Sequence, residues 1–158
     1  MSIYVGVGIL LGIILLRWGI AHWRDMRLRQ WWNKGQSAIE VNDMVGAEAA
    51  LRQCVRMAPI YAPVRRLLGR VLARRHKIEE AEEHLRMGAE LEPRNPDGYL
   101  DLAFFLALSS AGREDEAIDA FAKAIECAPD LRASLAAENR LAHLRRDERF
   151  RKLLTLAD

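Results

Sequence analysis

The sequence predicts an all-α chain: a single amino-terminal transmembrane helix, an α-solenoid of three helix-turn-helix repeats, and a closing pair of helices. Three observations lead there. Glycine (10) and proline (5) are sparse among 158 residues, which leaves room for long helices and little for turn-rich β structure. Residues 3–16 are apolar without interruption, and from Leu28 onward the chain resembles itself at an interval of about 34 residues. A hydrophobic content of 51% with 29% charged residues argues against both disorder and a polytopic membrane protein. The net charge of +2 is too small to suggest nucleic-acid binding.

The apolar run resumes after Arg17, so that residues 3–23 form one 21-residue segment. As a helix it is roughly 31 Å long, the thickness of a bilayer's hydrocarbon core. Arg17 lies near its end, where a long side chain can snorkel to the headgroups, and Trp18 and Trp23 stand where an aromatic belt would anchor it. Two other readings stay open. A cleaved signal peptide would need a basic start and a small-residue cleavage site, and a buried core helix would also accommodate 14 uninterrupted apolar residues. Arg17, Arg24, Arg27 and Arg29 face a single Asp25, so residues 1–30 hold the chain's positive excess and the remainder is close to neutral. The positive-inside rule then places the amino terminus outside and everything after residue 23 in the cytoplasm. Gly8 and Gly12, with Gly19 near the same face, would allow another membrane helix to approach closely, although glycine is common in membrane helices generally.

The repeats begin at Leu28, Ala62 and Pro96. Trp31, Arg65 and Tyr99 align, then Lys34, Leu68 and Leu102, then Gly35, Gly69 and Ala103, then Ala38, Leu72 and Leu106. In the second halves Ala47, Ala81 and Ala117 share a column, followed by Leu51, Leu85 and Phe121, by Cys54, Gly88 and Ala124, and by Pro59, Pro93 and Pro129. The prolines are 34 and then 36 residues apart, so two residues are inserted in the third repeat, at the turn around Ser109 to Arg113. Small residues let the two helices of a hairpin cross closely, and each proline stops the second helix. Lys34 and Arg65 depart from the apolar pattern.

This spacing resembles the tetratricopeptide repeat (TPR) family over residues 28–130. The segments expected are an anchor at 1–23, a basic juxtamembrane stretch with the first repeat at 24–61, repeats at 62–95 and 96–130, and a cap at 131–158. In the cap, Leu144 to Phe150 is similar to segments that close some bacterial repeat arrays, with Phe150, Leu153 and Leu154 as its inward stripe.

No catalytic constellation is visible, and neither enzyme activity nor a cofactor or metal is expected. His76 and His84 flank a turn without a third ligand. Glu79, Glu80, Glu82 and Glu83, like Glu114, Asp115 and Glu116, suit helix amino termini. Cys54 and Cys127, two repeats apart, read as small apolar residues in a thiol-reducing compartment.

The resemblance implies a concave groove lined by the first helix of each repeat. Its stripe is Trp32, Gln36 and Ile39 to Glu40, then Arg66, Arg70 and Arg74, then Leu100, Phe104 and Leu108. A guanidinium ladder between aromatic residues suits a peptide with acidic and apolar side chains, whereas the plain alternative is a solvated arginine face. If the groove binds a partner, replacing Arg66 and Arg70 by glutamate should leave helicity and melting temperature nearly unchanged while abolishing capture of that partner in a pull-down. The lysine and asparagine carboxylate clamp of some family members has no counterpart in this stripe. The expectation is a membrane-anchored adaptor binding a protein partner, similar to bacterial inner-membrane repeat proteins but without their cysteine-rich metal module. The rival is a permanent structural subunit of a membrane complex, and self-association is open to either.

Overall fold

The structure, a computed structural model, describes residues 22–23, 25–109 and 112–155. The anchor residues Gly8, Gly12, Arg17 and Trp18 lie outside the described residues, while Trp23 is helical and exposed. Among the described residues no helix is long and apolar enough to cross a membrane. Helical backbone runs through residues 25–40 (α1), followed by α2 (Met44–Met57), α3 (Ala62–Arg74), α4 (Ile78–Leu91), α5 (Pro96–Ser109), α6 (Glu114–Cys127), α7 (Leu131–Ala137) and α8 (Glu148–Thr155). The chain divides into two compact units between Ala58 and Pro59.

In the first unit α1 and α2 form a hairpin. Gly35 faces Leu51 so closely that a Cβ there would stand 3.2 Å from the leucine's Cγ. Cys54 is buried, its Sγ lies 3.9 Å from the Leu28 carbonyl oxygen, and burial pushes its thiol pKa up, as befits a packing residue. Lys34 avoids the core by lying over the Trp31 ring at 5.2 Å, which explains how the helix tolerates it.

In the second unit α3 packs on α4 and α5 on α6, while α5 also lies against both α4 and α3. The aligned columns are contact partners: Gly69 meets Leu85 as Gly35 meets Leu51, with 2.7 Å between a Cβ built at Gly69 and the leucine's Cγ. Arg65 replaces the expected apolar residue by donating from Nε to the Pro59 carbonyl at 2.8 Å and placing Nη1 3.2 Å from His84 Nδ1. Leu68, Leu72, Leu85, Leu106 and Phe121 are fully buried, and burying each such side chain contributes about 1.5–3 kcal/mol.

Each hairpin turns on a left-handed residue: Asn42 (φ 60°), His76 (φ 58°) and Gly112 (φ 88°). The first two turns close alike, the Asp43 amide donating to the Ala38 carbonyl at 2.7 Å and that of Lys77 to Leu72 at 3.0 Å. This six-to-one bond is that of a Schellman motif, which satisfies carbonyls at a helix end. His76 therefore belongs to a turn. The 34- and 36-residue steps between these three residues repeat the proline spacing, so the insertion lies before Gly112, on the α5 side of the turn.

The cap differs from two regular helices. Glu138 adopts an extended conformation and its side chain accepts from the Arg140 amide at 3.2 Å, which ends α7 after seven residues. Two 3-10 turns follow, Asn139–Leu141 and Leu144–Arg146, before Asp147 accepts from the Arg149 amide at 2.7 Å and starts α8. Leu141, Leu144 and Phe150 are buried, whereas Leu153 and Leu154 are half-buried.

The acidic residues expected at helix starts have a second role. Glu82 accepts from Arg113 at 2.6 Å and from Arg86 at 2.8 Å, and Glu116 accepts from Arg86 at 2.6 Å and Arg113 at 2.8 Å, tying α4 to α6. Hydrogen bonds from Arg113, then from Arg86, pull the Glu116 carboxyl down to about 2, and Arg113 also lowers Glu82. A depressed carboxylate pKa stabilises the fold above the ordinary carboxylate range, and this contribution is lost as pH falls toward 2. Arg113→Gln should therefore lower the melting temperature at pH 7, and its deficit against the parent should shrink steadily between pH 5 and pH 2.5. A deficit independent of pH would show that Arg113 acts by packing alone.

Candidate partner-binding cleft

Residues 66, 70 and 74 recur every four positions along α3 and so share one face, and α5 lies beside it. The three arginines nevertheless have different surroundings. The Arg66 side chain is 15% exposed, with Nε 2.9 Å from Asp101 Oδ2 and Nη2 3.1 Å from Asp97 Oδ2. Burial alone would lower its pKa, but the Asp101 and Asp97 carboxylates more than offset this and hold it above the ordinary value. Its stem passes over Gly88, where a Cβ would approach Arg66 Cγ to 2.6 Å, so the glycine of that column makes room for the ion pair. Arg66 thus joins α3 to α5, and the expectation that its reversal would leave stability unchanged does not fit this geometry. Arg70, by contrast, is 61% exposed and its Nε stands 3.9 Å from Asp101 Oδ1.

A cleft of about 390 Å³ opens beside these residues, lined among others by Arg70, Arg74, Asp101, Phe104, Leu108 and Arg140. Phe104 is held edge-on against Phe121, the centroids 5.3 Å apart and the planes at 87°. Leu108 is 48% exposed. The predicted stripe is therefore gathered in part: Arg70, Arg74 and Phe104 line one cleft, whereas Arg66 and the half-buried Leu100 do not. Half-buried Trp32 and exposed Gln36 lie on α1, in the first unit.

Arg140 is the residue that reading the stripe missed. Its guanidinium lies 4.8 Å from the centroid of the Phe104 ring, and Glu138 fixes it by accepting from Nε at 3.1 Å and from Nη2 at 2.9 Å. The same contact draws the Glu138 carboxyl down to about 2. A signal was present: Gln36, Arg70 and Phe104 stand 34 residues apart, and the 36-residue step of the third repeat carries that column to Arg140.

Cationic groups over an apolar floor can hold a carboxylate beside an apolar side chain, since guanidinium groups bind carboxylates with fixed geometry and stacked arginines keep donors for them. Among the described residues no group of three or more His, Cys, Asp or Glu side chains is placed to hold a metal ion.

No family model matches the sequence, and neither does any curated protein. Solved structures do resemble it in fold. MamA superposes with a TM-score of 0.66 at 19% identity, covering 80% of this chain and 71% of its own. The TPR2B domain of yeast Sti1, in its complex with pHsp70, gives a TM-score of 0.64 at 16% identity, covering 78% of this chain and 99% of its own. A mutant O-GlcNAc transferase of Thermobaculum terrenum gives 0.62 at 21% identity over 69% of this chain, which spans only 21% of that enzyme. The fold is that of tetratricopeptide repeats, in agreement with the repeat columns.

Proposed function

We propose that this chain is an adaptor that holds a protein partner in the cleft between α3, α5 and the cap, contributing no catalysis of its own. The observation behind this reading is the cleft itself, in which Arg70 and Arg74 stand beside Phe104 and the exposed Leu108. Its chemistry suits a segment with acidic and apolar side chains. The Sti1 domain in its complex with pHsp70 supports the use of this fold for holding another protein. Residues 1–23 act as the anchor, with the amino terminus outside and the repeats in the cytoplasm, as in a bacterial inner membrane. The length of the apolar run and the arginines that follow it support this placement.

A permanent structural subunit is the second reading, favoured by Ile60 and Tyr61, which are 79% and 46% exposed where α3 begins. One experiment separates the two. The tagged full chain is recovered from washed membranes with detergent, and its companions are quantified by mass spectrometry for the parent and for Arg70→Glu. An adaptor gives a companion below equal stoichiometry that falls at least tenfold in the variant, with the melting temperature unchanged, as is usual for an exposed site. A stoichiometric companion retained by Arg70→Glu would establish the structural subunit and end the cleft reading.

A further inference from the structure

We infer that Arg140 sets the specificity of the cleft, selecting an acidic side chain next to the apolar side chain that rests by Phe104 and Leu108. The inference rests on the cleft reading and adds to it a residue from outside the three repeats. Its register shows how the cap comes to supply it. The 36-residue step that leads from Phe104 to Arg140 also leads from Leu108 to Leu144, and Glu114, which opens α6, stands 34 residues before Glu148, which opens α8. The cap is thus a degenerate fourth repeat. Its first helix is cut short at Ala137, yet the following 3-10 turn still delivers residue 140 to the stripe that residues 70 and 104 occupy in the full repeats.

Three features of Arg140 suit recognition. The guanidinium carbon lies over the Phe104 ring, so the ring that would floor an apolar subsite also holds the charge beside it. Glu138 occupies Nε and one position on Nη2, which fixes the plane of the group and leaves Nη1 without a hydrogen bond among the described residues. Arg70, on the α3 wall of the same cleft, is more weakly engaged, at 3.9 Å from Asp101. Asp101 itself is bound by Arg66 at 2.9 Å, so the cleft keeps a positive excess that an acidic segment would complement. A carboxylate reaching Nη1 would form a charge-assisted bond without disturbing the Phe104 contact or the Glu138 pair.

The test is an unbiased peptide selection. The full chain, immobilised in detergent micelles, is challenged with a display library of random dodecamers, in parallel with Arg140→Gln and Arg140→Lys. The parent should enrich peptides in which Asp or Glu neighbours a Leu, Phe or Trp. Arg140→Gln should keep the apolar preference and lose the acidic one, with binding of the parent's best peptide weakened at least tenfold. Arg140→Lys should recover the acidic preference only in part, because an ammonium group lacks the planar fork that pairs with Glu138 and still offers a donor. If Arg140→Gln enriches the same acidic-apolar motif as the parent, the role of Arg140 is refuted while the cleft reading stands. If the parent enriches no motif, or one without acidic residues, the cleft reading fails and this inference with it.

Discussion

Phe121→Ala should lower the stability of the second unit by about 3–5 kcal/mol, the range for removing a large aromatic side chain from a packed interior. Phe121 is fully buried on α6, and its ring meets Phe104 of α5 at 5.3 Å and Phe150 of α8 at 5.6 Å. Each aromatic pair adds about 0.5–1.5 kcal/mol beyond area burial. Small domains hold only about 5–15 kcal/mol in total, so one truncation should remove a large share of the margin. The same ring supports the floor of the cleft on one side and the cap on the other. Urea denaturation should therefore show an earlier midpoint for Phe121→Ala, and peptide binding should weaken even where the variant is still folded. Phe121→Leu, which keeps most of the volume, should lose much less of both. A midpoint for Phe121→Ala equal to the parent's would mean that the three rings do not share a core.

The repeat columns were legible because each is a contact that recurs. Gly69 faces Leu85 as Gly35 faces Leu51, and a Cβ at Gly69 would force a shift at the crossing, whereas one at Gly35 would press on the Leu51 side chain. The turns were less legible, because a left-handed backbone is obvious at Gly112 and not at His76, where only the Schellman closure reveals it. The arginine face was misjudged in part, since periodicity says which side chains share a helix face and nothing about what the next repeat sets opposite them. Asp97 and Asp101 lie 31 and 35 residues from Arg66, and only the packing of α5 against α3 brings them to it. Arg140 was missed because the cap's first helix breaks at Glu138 and so hides the stripe. Counting the period through that break would have found it.

The contrast between Arg66 and its neighbour leads to the second large effect. Arg66→Glu should destabilise the second unit by about 1–3 kcal/mol, below the full cost of breaking a buried ion pair because Asp97 is 58% exposed and water screens part of the repulsion. The reversal removes the cation from two carboxylates and adds a third beside them, at a side chain that is only 15% exposed. Thermal unfolding followed by circular dichroism should thus show a lowered midpoint for Arg66→Glu and an unchanged one for Arg70→Glu. Pairing Arg66→Glu with Asp101→Arg should restore part of the loss, because it rebuilds one opposite-charge contact across the same helices. Equal midpoints for the two single reversals would show that the Arg66 ion pair is a surface contact without structural weight. With unequal midpoints, a loss of partner binding in Arg66→Glu follows from a disturbed α3 and α5 junction. The same loss in Arg70→Glu, on an intact fold, has to come from the cleft itself.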